Sequence, residues 1–329
     1  MMYRFAIVLI TCCLLAAAPL HAAVDPNQNE IIIVVGAPGA GEFQQKFDES
    51  LSLWRTACQK GAANGAIIAG EPLTENAHYE TLKQKLAETP KETNVPLWIV
   101  FIGHGTFDGR TAKFNLRGQD VSAAELSQWL EPIKRPLAVI NASSSSAPFI
   151  NRLTAAGRVI ITATRDGYEQ NYSRFHKYFA AAVGDLQADL DKDGQTSLLE
   201  AFIFADHGVA EFYSAAGRMA TEHALLDDNG DGLGTRASWF KGIRPVISAR
   251  DGAELDGYRA HQFHLIPSQF DRKIPPDLRQ QRDQLELQII RLRDAQTGPP
   301  NEAYLSQLET LLLQIAQIYD QIDKNTTDK

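Results

Sequence analysis

Cysteine is scarce: three residues in 329, and two of them, Cys12 and Cys13, fall in the first apolar stretch, leaving Cys58 alone in the body of the chain. One thiol makes no internal disulfide, so a disulfide-stapled fold is excluded and stability must come from a hydrophobic core or a bound metal. A basic excess is also lacking, since 32 Lys and Arg stand against 40 Asp and Glu for a net charge of −8. That balance argues against nucleic acid, whose binding needs clustered Lys and Arg to release phosphate counterions, and it favours cations as partners. Past the N-terminal segment no apolar run reaches the roughly 20 residues that a membrane span requires.

What is present begins at the N-terminus. Arg4, the apolar run from Phe5 to Leu15 and the small-residue stretch that ends at Ala23 read as a secretory signal peptide over residues 1–23, cut near Ala22. An exported protein, periplasmic or extracellular, is expected, with no membrane span after cleavage. Cys58 lies on an amphipathic stretch, Phe47 to Gly61, and reads as a buried, inert thiol.

From Ile31 short β-branched runs alternate with helical stretches, the rhythm of a parallel sheet covered by helices. Strands are expected at Ile31–Val35, Ala66–Ala69, Leu97–Ile102, Leu137–Asn141 and Arg158–Ala163, with helices over 42–62, 76–88, 122–130, 147–155 and 173–186. In α/β sheets of this kind ligands and catalytic groups gather beyond the carboxyl ends of the strands. Attention therefore falls on the loops after Ile102 and Asn141.

Residues 24–186 are taken as this α/β domain and 187–235 as a segment of two acidic loops and a helix. Residues 236–274 form an irregular or β extension, with a strand expected at His261–Ile266. Residues 275–329 form a coiled-coil-like helical hairpin. In the hairpin, Leu278, Leu285, Ile289 and Leu292 make one stripe, Leu305, Leu308, Leu312, Ile315, Tyr319 and Ile322 another, and Gly298-Pro299-Pro300 breaks the two apart. The hairpin is a candidate surface for a protein partner.

The segment Asp189 to Glu200 has acidic oxygens at loop positions one, three, five and twelve and glycine, Gly194, at six. That is the pattern of an EF-hand loop. Calcium prefers six to eight hard oxygens, and Asp189, Asp191, Asp193, the Gln195 carbonyl, Ser197 and bidentate Glu200 would supply them. Position eight, ordinarily apolar and paired with a second loop, is Thr196, which argues against a conventional EF-hand pair. A second acidic run, Asp227 to Gly232, begins in the same way but has Ser238 where the closing Glu belongs. Asp227, Asn229 and Asp231 are candidate ligands there only if oxygens come from elsewhere; otherwise the run is a polar turn.

Gly103-His104-Gly105 closes one expected strand and Asn141-Ala142-Ser143 the next, with His104 and Ser143 39 residues apart. In order and spacing the stretch from Ile31 to Gly184 resembles the caspase-like cysteine peptidases, particularly the legumain branch. The resemblance implies a caspase-like fold with His104 at the catalytic histidine and Ser143 at the nucleophile. That family carries Cys at the latter position. A hydroxyl is far less acidic than a thiol and needs a well-oriented base during attack, so the family's thiolate chemistry is lost. A noncatalytic binding or scaffold protein is the first expectation, and a Ser143–His104 hydrolase with a carboxylate such as Asp108 behind the histidine is the alternative. Gly36 to Gly41 has Glu42 and Phe43 where a phosphate-binding loop needs Lys and Ser or Thr, so it reads as a glycine-rich turn.

Overall fold

The computed structural model describes residues 28–327; the expected signal peptide lies outside the described residues. Six strands form the main sheet: β1 (Glu30–Val35), β2 (Asn64–Ile68), β3 (Leu97–Ile102), β7 (Leu137–Asn141), β8 (Arg158–Thr162) and β9 (Leu225–Asp227), in the order β2-β1-β3-β7-β8-β9. The first five run parallel, and β9 adds an antiparallel edge. A small antiparallel sheet of β4 (Gly105–Phe107), β5 (Ala112–Phe114) and β6 (Val121–Ser122) grows from the end of β3.

Strands β1, β3, β7 and β8 are apolar nearly throughout because helices cover both faces. The period-two alternation of β1 divides the core. Ile31, Ile33 and Val35 join Phe47, Leu51 and Trp54 of α1 (Gly41–Gly61), Phe175 and Phe179 of α5 (Phe175–Val183) and Phe202 of α6 (Leu198–Ala215). Ile32 and Val34 turn the other way, towards Leu82 and Leu86 of α2 (Ala77–Glu88), Leu126 and Leu130 of α3 (Ala123–Leu130) and Phe149 and Leu153 of α4 (Pro148–Leu153). Burial of the Cys58 thiol on α1 raises its pKa to about 11, which makes it a poor nucleophile.

The chain steps outward from β1 to β2, then crosses back to β3, so a switch point lies between β1 and β3. The Gly36 turn, the His104 loop and the Ser143 loop all leave the sheet at its carboxyl edge. Gly36 is required there, since a Cβ would stand 2.4 Å from the Asn115 carbonyl.

Two helices, α7 (Pro276–Asp294) and α8 (Glu302–Thr327), end the chain as a pair. Ile274 at the start of α7 packs with Ile318 and Ile322 near the end of α8, so they run antiparallel. The seam differs from the expected stripe: Leu305 and Leu312 are half exposed, and Ile318, outside that stripe, is buried. The seam keeps a seven-residue spacing on the neighbouring face, with Leu308, Ile315 and Ile322 retained and Leu311 and Ile318 standing in for Leu305 and Leu312.

Two further expectations are corrected. No strand forms at His261–Ile266; a 3-10 turn, Ala260–Gln262, and one bridge from His264 to Ser197 stand there instead. Helix α5 stops at Val183 rather than Leu186, since Gly184 caps it and the chain must turn into the acidic loop.

Candidate functional site

After α5, residues 184–188 lead into the loop Asp189–Glu200. Lys192 and Gly194 adopt left-handed conformations (φ 63° and 89°) at loop positions four and six. These turns bring carboxylate oxygens of Asp189, Asp191 and Asp193 within 4.8 Å of one another. Each acid is oriented by amides: Asp189 Oδ1 accepts from Lys192 N (2.7 Å), Asp191 Oδ1 from Asp193 N (3.2 Å) and Asp193 Oδ1 from Gln195 N (3.0 Å). Burial, followed by the negative charges of Asp191 and Glu200, pushes the Asp193 carboxyl above its ordinary value.

Glu200 closes the loop from the first turn of α6. Its Oε2 accepts from the Ser197 amide and hydroxyl, which forms a capping box, while Oε1 accepts from Leu190 N at 2.7 Å. Asp189 and Glu200 are only 5% and 1% exposed, and these hydrogen-bond donors to their carboxylates are all neutral. A buried carboxylate without a cation is costly, so the site has the charge and the hard oxygens that suit calcium.

Residues 261–268 pack against this loop. Ser197 bridges His264, Leu198 N donates to Phe263 O, and Ser268 N donates to the Gln195 side-chain oxygen. His261 also approaches, with Nε2 3.0 Å from Asp191 Oδ2.

The second acidic turn repeats the first in detail. Gly230 and Gly232 are left-handed (φ 86° and 75°) at positions four and six. Gly230 N donates to Asp227 Oδ1, Asp231 N to Asn229 Oδ1 and Leu233 N to Asp231 Oδ1. Burial, with Asp231 and Asp228 adding negative charge, raises the Asp227 pKa to about 6. Asp228 and Asp256 sit behind the turn: Asp228 accepts from Gly257 N and Ala260 N, and Asp256 from Asp228 N, Asn229 N and the Thr235 hydroxyl. Burial pushes both of these carboxyls up.

His104 and Ser143 leave adjacent strands, yet they form no dyad. Ser143 is fully buried and its Oγ donates to Asn141 Oδ1 at 2.7 Å. His104 Nε2 lies 3.3 Å from Pro38 O, and its ring packs edge-on against Phe43 and Phe47. Burial lowers its pKa and favours the neutral form. Asp108 is turned away, accepting from Arg110 N and Thr111 N in its own turn. The serines after Asn141 act as cross-links: Ser144 Oγ bonds both the amide and the carbonyl of Gly105, and Ser146 Oγ accepts from Ala163 N.

Several contributors carried no sequence signal. His261, Asp256 and Thr154 reach the acidic loops only through tertiary packing. Glu222, also missed, is 3% exposed and accepts from Ser173 Oγ, Arg174 N and Phe175 N, supplying the start of α5 with the cap it lacks locally.

Solved structures similar to this chain include two caspases. The initiator caspase Dronc of Drosophila is similar at 15% identity and a TM-score of 0.39, over 61% of this chain and 80% of that one. Caspase-1 from Spodoptera frugiperda is similar at 10% identity and a TM-score of 0.41, over 68% of this chain and 94% of that one. No family model matches the chain, and no curated protein does. Among the described residues no helix is long and apolar enough to cross a membrane.

Proposed function

We propose that this is an exported, calcium-binding protein whose caspase-like, legumain-like α/β domain serves binding or scaffolding rather than peptide cleavage. The observation that carries the calcium reading is Glu200, a carboxylate 1% exposed whose Oε1 and Oε2 accept from backbone amides and the Ser197 hydroxyl. Asp189, Asp191, Asp193, the Gln195 carbonyl and Ser197 complete an EF-hand-type set around it.

The test is thermal melting of the full chain in calcium and in chelator. At free calcium one hundred times Kd, linkage through this loop adds about 2.7 kcal/mol; chelator removes it, and Asp189→Ala removes this loop's share. An unchanged melting temperature in wild type would remove the calcium reading. Titration with zinc beside calcium identifies the metal, because Asp191, Glu200 and His261 also lie within 4.8 Å of one another and a nitrogen ligand suits zinc better.

Inactivity as a peptidase is supported by the buried Ser143 hydroxyl and its bond to Asn141. A fluorophosphonate probe is expected to leave the protein unlabelled. Labelling that disappears in Ser143→Ala would establish the Ser143–His104 hydrolase instead. The C-terminal hairpin is the proposed contact for a protein partner, since Leu305, Leu312 and Leu313 stand half exposed on α8. Self-association is its simplest form, and an unchanged mass in solution for Leu312→Glu would reject it.

A further inference from the structure

We propose that the Asp227–Asp231 turn is a second calcium site, one whose missing closing acid is replaced by an oxygen from α4's carboxyl end. The turn alone would not carry this, because acidic turns are common without ions. Buried side-chain oxygens carry it: Asp227 Oδ2 and Asp231 Oδ2 lack well-formed hydrogen bonds, and Thr154 Oγ1 has only the Asp227 carboxylate beside it. Asp227 is 1% exposed, and the charges of Asp231 and Asp228 that bear on it are negative.

Thr154 follows α4, and its hydroxyl lies beside the Asp227 carboxylate without completing a well-formed hydrogen bond. Contact between that segment and the turn is close. A Cβ on Gly232 would meet Thr154 Cγ2 at 3.2 Å, and Asn151 Nδ2 donates to Gly232 O at 2.8 Å. Two buried carboxylate oxygens with no donor beyond the Thr154 hydroxyl would cost several kcal/mol without a cation. A divalent cation removes that cost.

The chemistry selects calcium. Every candidate donor is a hard oxygen: Asp227, Asn229 and Asp231 at positions one, three and five, Leu233 where the first loop has Gln195, and Thr154 from outside. Fewer acids than in the first loop predict the weaker affinity of the two. Asp228 and Asp256 stand behind the turn, their oxygens accepting from backbone amides and the Thr235 hydroxyl. Their role is to hold the turn against residues 254–260.

Titration calorimetry with calcium chloride on the chelator-treated full chain tests this independently of the first loop. Two calcium ions are expected per wild-type chain, one in Asp189→Ala, one in Asp231→Asn and none in the double variant. Thr154→Val, which keeps the shape and removes the oxygen, is expected to weaken the ion remaining in Asp189→Ala by five- to tenfold. If Asp189→Ala binds nothing while wild type binds one ion, the second site is refuted and the first stands. If one ion survives Asp189→Ala and disappears in Asp231→Asn, the second site holds even where the first fails. Should Asp231→Asn not fold, an unaltered affinity in the Asp189→Ala, Thr154→Val chain overturns the proposed shell.

Discussion

The two acidic loops share a backbone and differ in how they end. Both place left-handed residues at positions four and six, and both turn amides onto the side-chain oxygens at one, three and five. The first finishes within its own twelve residues, because Glu200 rides on the first turn of α6 and reaches back. Ser238 is exposed at the same place in the second, in the short 3-10 helix Ala237–Trp239, and cannot reach back as a Glu would. A loop closed by its own chain is local and readable; one closed from α4 exists only after folding.

Residues 254–268 bind the two loops together. They bridge Ser197, bond Gln195 and Asp191 on one side, and anchor Asp228 and Asn229 on the other. The same strand of chain meets α7 through Tyr258 with Asp294 and Gln262 with Asp283. What reads as irregular filler is the piece that ties both acidic loops to α7.

The largest effect should separate the loops outright. Glu200→Ala deprives the Leu190 and Ser197 amides of their acceptor and is expected to cost about 3 kcal/mol even in chelator, read from denaturant unfolding. Its positional counterpart, Ser238→Ala, should stay within about 0.5 kcal/mol. Equal costs would mean that the loops close in the same way and would break the comparison.

A smaller effect has to be removed before the loops are compared across pH. His176 on α5 is fully buried between Ser50 Oγ (2.6 Å) and Tyr172 Oη (2.7 Å), and burial lowers its pKa from 6.5 to about 3. Its folded pKa is depressed, so its contribution is complete above pH 6.5 and is lost as pH falls towards 3, by up to about 1.4 kcal/mol per unit. Chelated protein should therefore be less stable at pH 5.5 than at 7.5, and His176→Gln should flatten that difference. The same slope in the variant would assign the acid sensitivity to other groups.

The core strands were legible because buried parallel strands are written as uninterrupted β-branched runs. Leu97–Ile102 and Leu137–Asn141 lie where the pattern puts them. Strand β9 was not, since Leu225–Asp227 is three residues long and is stabilised by the neighbouring edge of β8 rather than by its own sequence. At the candidate active site, order and spacing placed His104 and Ser143 on adjacent strand ends, but spacing carries no information about where a side chain points. Asn141, two residues away, takes the Ser143 hydroxyl instead.

By itself the sequence determined the α/β class, the helical pair at the end and the first acidic loop, because each depends on contacts a few residues apart or on a simple period. Tertiary structure alone decided that Ser143 is buried, that His261 meets Asp191, and that Thr154 faces Asp227. Those pairings join residues far apart in the chain, and their free energy comes from desolvating groups that only the packed fold brings together.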